Sequence, residues 1–388
     1  MAAVDIAIIG AGAAGIAAAV GAARAGASTL LLEQRPAAGG IGGFSGLTTL
    51  CGLYDEAGNF LNEGFPREFA EALADCPGAL ASSRRVSNFP ESQLAGPRPA
   101  LPGQPLRMGR VWVLPYRPEK FRALAERLIT TTPKLRAEWN TPLTDVTVES
   151  ARIVAINGLR VGAVIDCSGS AEIARAIGAE CLATDETTQA AAVVFPLCHV
   201  TREFKTTAEV AQVLLPLARA GFPPLNFQSS LEPGTLTMKF TGRAGQVRDV
   251  IEFLRGNIPG FENCATSQTE FVPTPRAGRM IMGQYLLTGA DVLSGRKFPD
   301  AVARGAWPIE QWDAQGVVRF KYPPPGTRYE IPARALRAAP IENLFMAGKT
   351  ISADADAIAS ARVMGCCLAT GAAAGNLAAD YLKSSLCR

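Results

Sequence analysis

Residues 1–35 read MAAVDIAIIGAGAAGIAAAVGAARAGASTLLLEQR, with no charged side chain between Ile6 and Ala23. A membrane span, a secretory signal and a nucleotide-binding unit can all begin this way. A span is driven into lipid by Leu, Ile, Phe and Val, yet from Gly10 to Ala23 only Ile16 and Val20 are of that kind and the rest are Ala and Gly. A signal needs a basic leader, and Asp5 stands where that charge belongs. What fits is strand, tight turn, helix, strand. VDIAIIG is a short buried strand, and the spacing Gly10-x-Gly12-x-x-Gly15 is a dinucleotide fingerprint opening a helix.

The chemistry asks for those glycines in turn. Gly10 permits the sharp bend, Gly12 lets a pyrophosphate approach bare backbone, and Gly15 lets helix and strand pack closely. With Ala13 and Ala14, the exposed amides and the positive helix end hold the phosphates. The small face of the helix (Ala17, Ala18, Ala22) suits packing on a sheet, and STLLLEQ is the next parallel strand, ending at Glu33. That carboxylate, flanked by Gln34 and Arg35, can accept hydrogen bonds from both ribose hydroxyls. It argues against NADP, whose 2′-phosphate needs a cation there. Gly39, Gly40, Gly42 and Gly43 in RPAAGGIGGFSG are expected to form a second backbone surface just beyond. GAVIDCSG ends a strand at Ser168 and Gly169, the usual place for a strand to reach a cofactor.

Composition narrows the partners. The 388-residue chain suits a cofactor domain interleaved with a smaller one, and with 48% hydrophobic and 19% charged residues it can bury a sizeable core. Lys plus Arg total 38 against 35 acids, and the longest basic run is Arg84-Arg85, so no stripe exists for nucleic acid. Nine cysteines without a C-x-x-C pair do not make a zinc site or a disulfide framework; a cytoplasmic location is expected. With His199 the only histidine, multi-histidine metal sites and Ser-His-Asp chemistry have little to be built from, and no metal is expected.

The fingerprint does not separate FAD from NAD. Further stretches bear on that choice: GGFSGLTTLCGLYDEAGNFLNEGFPREFAEAL (42–73), AVIDCSGSAEIARAIGAE (163–180), TPRAGRMIMGQYLLTGADVLSGRKFPDAVARGAWPIE (274–310) and ENLFMAGKTISADADAIASARVMGCCLATGAAAGNLAADYL (342–382). With these the sequence resembles the FAD-dependent oxidoreductases, a family of largely unknown substrates within the glutathione-reductase-like superfamily. The resemblance covers most of the chain. It implies FAD as cofactor and an α/β fold: a Rossmann-like FAD-binding domain of glutathione-reductase type with an inserted α+β substrate domain. It also implies that Gly348, at a strand end, and Arg362, Val363, Met364 and Gly365, at a helix start, face the flavin, the helix dipole stabilising negative charge on its pyrimidine ring. Two positions depart from the family pattern: Ser170 stands where an Asp is frequent, and Trp312 where a His is. No second G-x-G-x-x-G of a nicotinamide domain is present.

The expected FAD-binding domain is discontinuous (1–75, 111–183 and 332–388), with a substrate or cap domain at 184–331 and a proline-rich connection or lid at 76–110. YRPEKFRALAERLI and RDVIEFLRGN have helical spacing; PLTDVTV, IVAING, VGAVIDCSG and QAAAVVFPLCHV read as strands. FPESQLAGPRPALPGQP and YPPPGTRYEIP read as loops, either lids or stiff surface connections. For chemistry, Arg362 is either a cation beside reduced flavin or a surface ion pair. His199 is a proton acceptor or a hydrogen-bonded core histidine within an apolar strand. Tyr285 and Arg276, and more weakly Arg304, bind substrate or serve packing and ion pairs. Cys51 lies near the ring or is inert, and Cys366 and Cys367 are small packing residues.

The implied activity is removal of two electrons from a small organic substrate, as hydride to flavin N5, passed on to oxygen, a quinone or a redox partner. The alternative is a monooxygenase or halogenase using reduced FAD and oxygen, since DCSGSAEIARAIGAE also resembles the D-A-S-G segment of tryptophan-halogenase-like proteins; their W-x-W-x-I-P stretch is absent. A non-catalytic binding protein would tend to have lost the fingerprint glycines, which are intact.

Overall fold

The computed structural model describes residues 3–74, 105–179, 181–183, 189, 191–230, 232–269, 271, 273–276, 278–313 and 317–386. The expected connection or lid at 76–110 lies outside the described residues as far as Gln104.

The chain is a mixed α/β protein built on a seven-stranded sheet. The strand Ala3–Ile9 lies at its centre, parallel to Thr29–Leu32 on one side and to Leu159–Asp166 on the other. Leu135–Glu138 extends the first side in parallel, and Leu344–Met346 runs parallel along the carboxyl half of Leu159–Asp166. The amino half of that strand pairs instead with the antiparallel Arg152–Ile156, which Val146–Glu149 follows. A parallel sheet covered on both faces needs apolar residues at successive positions. Ile6 and Ile8 face one buried cluster while Ala7 and Ile9 face another, the period of two expected of a strand.

On the first face lie the helix Ala13–Arg24 and the C-terminal helix Met364–Leu386. They pack backbone to backbone. A Cβ at Gly371 would fall 2.1 Å from the Ala14 carbonyl oxygen, and one at Gly375 would fall 2.4 Å from that of Ala18. The small face of the first helix therefore serves a helix–helix seam as well as the sheet.

The register aligns the carboxyl ends of the parallel strands: Ile9 pairs Leu32 and Asp166, and Asp166 pairs Met346. The chain leaves the central strand toward Thr29–Leu32 on one side and returns on the other, so a crevice opens outside these ends, where open parallel sheets take ligands.

Residues 193–264 hold a separate hydrophobic cluster. Its sheet orders Val193–Leu197, Leu236–Phe240 and Leu225–Ser229 antiparallel, with the helices Thr207–Arg219 and Val247–Asn257 packed on it. RDVIEFLRGN is thus a helix as read, burying Val250, Ile251 and Leu254.

Several expectations need correction. The apolar strand ends at Leu197, and His199 lies beyond it, exposed, with φ of 60°. It is not a core histidine. YPPPGTRYEIP is not all loop: Tyr329–Pro332 pairs with Ala301–Gly305, since the prolines at 323–325 end before the alternating buried pattern begins. Arg362 does not start the long helix but caps the end of Ala355–Ala361, and the chain turns by 95° before Met364. Among the described residues no single helix is long and apolar enough to cross a membrane.

Candidate functional site

The crevice floor begins at the first turn. Gly10 has φ of 96°, and a side chain there would meet the Cys167 carbonyl oxygen at 2.8 Å; one on Gly15 would fall 1.7 Å from the Gly10 oxygen. Gly12 differs. Its φ of −78° suits any residue, and nothing lies within 4 Å of where its Cβ would be. Neither local conformation nor packing requires glycine there, so open space above the amides of Ala13 and Ala14 is what the residue preserves. An anionic diphosphate fits such a place, at a helix N-terminus with no side chain in the way.

Glu33 closes the side of this cradle. Its carboxylate accepts from the Ala11 amide at 2.7 Å and from the Arg35 amide at 2.9 Å, leaving lone pairs for ribose hydroxyls. Gln34 and Arg35 are exposed just beyond it. Gly39 donates to Ala11 O at 2.9 Å, and a Cβ on Gly40 would press on Gly12 Cα at 2.8 Å, so both border the first turn. Gly42 and Gly43 are accounted for otherwise: their missing side chains admit Phe121 and Arg122 from the helix Pro118–Thr131.

The next two strand ends complete the crevice. Asp166, fully buried, accepts from the Ser168 amide and hydroxyl and from the Ile173 amide, and burial raises its pKa. Ser168 thereby shapes the loop. Gly169, with φ of 74°, leaves room for Lys349, whose Cε would be 3.2 Å from a Cβ there. Gly348 packs on Ala14, its added Cβ falling 3.0 Å from that of Ala14. Val363 and Gly365 pack on Gly52, and the Gly365 amide donates to Cys51 O at 2.8 Å, so this early amide of the C-terminal helix is already engaged. Met364 Sδ lies 4.0 Å from the Tyr116 hydroxyl. Cys366 and Cys367 are buried, their thiols pushed up to about 12 by burial.

Beside these strand ends the fold gathers charged groups from distant parts of the chain. Arg362 donates to Arg276 O at 2.9 Å, to Glu310 O at 3.0 Å and to the Gln189 side chain at 3.2 Å. Lys349 Nζ donates to Pro275 O at 3.1 Å. The Pro275–Arg276 backbone is thus held between two cations. The Arg276 guanidinium lies over the Trp312 ring. Glu310 accepts from the indoles of Trp307 at 2.9 Å and Trp312 at 2.7 Å. Burial, with the nearby charge of Arg362 adding to it, lowers Arg276 to about 10 and Lys349 to about 8; burial also lowers Arg362. For Glu310 burial works upward, but Arg362 and the Trp312 hydrogen bond outweigh it and leave the carboxyl below its ordinary value.

Of the residues singled out for chemistry, Arg276 and Arg362 are brought together. Tyr285 belongs to another network: its hydroxyl donates to Asp291 at 2.9 Å and accepts from Arg296, while Arg334 lies over its ring. Arg304 is exposed, 3.7 Å from Glu330. Lys349, Glu310 and the platform role of Trp312 were not read from the sequence. A charged residue directly after the strand-ending glycine, in the otherwise apolar LFMAGKT, was a usable signal for the first.

A family profile described as FAD dependent oxidoreductase matches residues 5–226 and 218–387. The chain belongs to that family; it is an enzyme, and FAD is its cofactor. Comparison with curated proteins found no match. Among solved structures the chain is similar to a geranylgeranyl bacteriochlorophyll reductase-like protein from Thermoplasma acidophilum, with a TM-score of 0.51 and 15% identity over 99% of this chain and 79% of that one. It is also similar to a flavoprotein/dehydrogenase from Cytophaga hutchinsonii (TM-score 0.48, 13% identity, 99% and 79% covered). A third is the flavin-dependent monooxygenase PieE in complex with FAD and substrate (TM-score 0.48, 11% identity, 90% and 53% covered), of whose length this chain spans about half. At these identities the first likeness speaks for the fold alone.

Proposed function

We propose that this enzyme removes two electrons from a small organic substrate held between the strand-end crevice and the Arg276–Arg362–Lys349 cluster, and passes them to oxygen, a quinone or a redox partner. The observation that carries the reading is the junction of cradle and cluster: Lys349 directly follows Gly348, which packs on Ala14 at the open first turn. FAD supplies the two-electron acceptor chemistry when bound.

The chain's own residues bind and tune. In this reading the turn at Gly12, the amides of Ala13 and Ala14, Glu33 and the Gly39–Gly40 segment hold the adenosine diphosphate half. Ser168–Gly169, Gly348 and the 363–365 segment border the ring half. Arg362 and Arg276 stabilise negative charge developing beside them, in partly buried surroundings where such stabilisation is strong. Lys349 Nζ, lowered to about 8 by burial, is the group in the cluster able to hold or move a proton near neutral pH. His199, exposed past its strand, is not needed for this. We further assign 1–75, 111–183 and 332–388 to a Rossmann-like FAD-binding unit of glutathione-reductase type, and 184–331 to a substrate unit inserted in it. The separate hydrophobic cluster at 193–264 supports that division.

An anaerobic bleaching screen of the purified yellow protein against organic acids, amines, alcohols and reduced heterocycles tests the reading. Loss of the oxidised flavin spectrum with substrate alone is expected. A flavin that bleaches only with NAD(P)H or an added reductase would replace the reading with a monooxygenase.

A further inference from the structure

We infer that Arg122, with Arg35 beside it, forms the cationic wall of the cofactor cradle and neutralises the diphosphate of FAD. The inference rests on FAD lying at the Gly12 turn and is independent of which substrate is oxidised.

The cradle built from the first turn lacks a counter-charge. Gly10 to Gly15, Gly39 and Gly40 carry no cation, and Glu33 adds a negative side chain of its own. A helix N-terminus supplies only roughly half an elementary charge, less than a diphosphate carries. A side-chain cation is needed nearby.

Arg122 comes from a distant part of the chain, the helix Pro118–Thr131, and packing brings it to the cradle. Phe121 fills the space beside Gly42, and the Tyr116 hydroxyl donates to Gly42 O at 2.9 Å, so the turn from Gly39 to Phe44 is held against that helix. The Arg122 stem lies along this turn: its Cγ is 3.1 Å from where a Cβ on Gly39 would be and 2.5 Å from one on Gly43. On its other side the same turn meets the fingerprint, with Gly39 bonded to Ala11 O and an added Cβ on Gly40 falling 2.8 Å from Gly12 Cα. One short stretch of backbone, Gly39 and Gly40, therefore stands between the arginine and Gly12. Nothing lies within 4 Å of where a Gly12 Cβ would be, and that is the space a ligand needs.

Among the described residues the Arg122 guanidinium has no partner but a ring. It lies 5.1 Å from the centroid of the half-buried Phe44, and the Arg35 guanidinium lies 5.6 Å from the same centroid. Neither meets a carboxylate or donates a hydrogen bond among the described residues, although Glu126 stands one turn along the helix from Arg122, where a helical ion pair could form. The Arg35 backbone is fixed at the ribose edge, since its amide donates to Glu33. Two guanidiniums are thus gathered at one ring beside the opening, with their donors unspent. Phosphate oxygens would take them up in charge-assisted bonds, which the planar fork of a guanidinium makes in pairs.

The test uses the full chain stripped of FAD, with FAD affinity measured by equilibrium dialysis at about 0.05 M and about 0.5 M salt, a range over which exposed charges become screened. At low salt Arg122→Gln is expected to weaken FAD binding about tenfold or more, the loss of a charge-assisted bond, and Arg35→Gln to weaken it less. The gap between Arg122→Gln and the wild type should narrow at high salt. Arg122→Lys, which keeps the charge but not the fork, should recover part of the loss. An Arg122→Gln protein that binds FAD as the wild type does overturns the inference, and so does one weakened by the same factor at both salt concentrations, because the side chain would then act through packing. Should Arg122→Gln fail to fold, the wild type decides: FAD affinity that does not fall with salt overturns the inference. Gly12→Val separates this result from the reading beneath it. If that variant keeps FAD the diphosphate lies elsewhere and the cradle is lost; if it loses FAD while Arg122→Gln does not, only the cationic wall falls.

Discussion

The guanidinium of Arg276 lies 4.0 Å from the centroid of the Trp312 ring, while the Trp312 indole donates to Glu310 at 2.7 Å. A cation, an aromatic face and a carboxylate thus form one chain of contacts in partly buried surroundings, where cation–π attraction is worth about 2 kcal/mol or more. A histidine at position 312 would present a smaller face and could itself become positive beneath Arg276.

Trp312→Phe keeps a ring under Arg276 but leaves one Glu310 oxygen without its indole donor. Chemical denaturation should show a loss of about 1–3 kcal/mol, the cost of an unsatisfied buried polar atom. Trp312→Ala removes the platform as well and should cost roughly 3–5 kcal/mol. Equal losses in the two variants would show that the ring platform contributes nothing, and a Trp312→Phe protein as stable as the wild type would show the same of the indole hydrogen bond.

Glu310→Gln removes the carboxylate and leaves Arg362 and Arg276 without it. A loss of about 3–5 kcal/mol at neutral pH is expected, as for a buried ion pair broken from one side. The pH dependence has a definite sign. Because the folded-state pKa of Glu310 lies below its ordinary value, its stabilisation is complete above the unfolded carboxyl range, about 4.3, and is lost as pH falls through the folded value. The gap between variant and wild type should therefore narrow below about pH 4. A gap constant down to pH 3 would contradict the ionised assignment.

Lys349 gives the opposite limb. Its folded-state pKa of about 8 lies below the ordinary lysine value of 10.5, so the folded chain binds fewer protons than the unfolded chain between those values. Stability should rise with pH across that window as the penalty for burying the charge is relieved. Lys349→Met, free of the penalty, should be stabler than wild type by about 1–3 kcal/mol at pH 7, with the advantage gone by about pH 10.5. Melting curves of ligand-free protein at pH 7 and pH 10.5 check this.

What the sequence made legible was local. Gly10, Gly12, Gly15 and Glu33 lie within one strand-turn-helix-strand unit, so their spacing carries their geometry. The pairing of Arg276 with Arg362 was legible only as two separate suspicions, because their contact depends on how the 275–276 loop reaches the end of a helix 86 residues later. Lys349 and Glu310 were missed for the same reason: neither has a local pattern, and each becomes chemical only through partners that topology supplies. His199 was misplaced because apolar neighbours suggested a longer strand, whereas the chain turns at φ of 60° just after Leu197. The second loop reading failed because three consecutive prolines masked the short alternation of Tyr329–Pro332.

Two fingerprint glycines should separate folding from cofactor binding. At Gly12 the backbone is ordinary and the Cβ direction is empty, so Gly12→Val should fold with a melting temperature near that of the ligand-free wild type. Its side chain would occupy the space left for the diphosphate, and FAD affinity measured by equilibrium dialysis should fall by about a hundredfold or more, roughly 3 kcal/mol. At Gly15 the space is already full: a Cβ would sit 1.7 Å from the Gly10 carbonyl oxygen. Gly15→Ala should therefore lose about 1–3 kcal/mol or more by overpacking, and should do so without FAD present. A Gly12→Val protein that retains FAD with wild-type affinity would move the diphosphate away from this turn, and with it the crevice on which the cationic cluster borders.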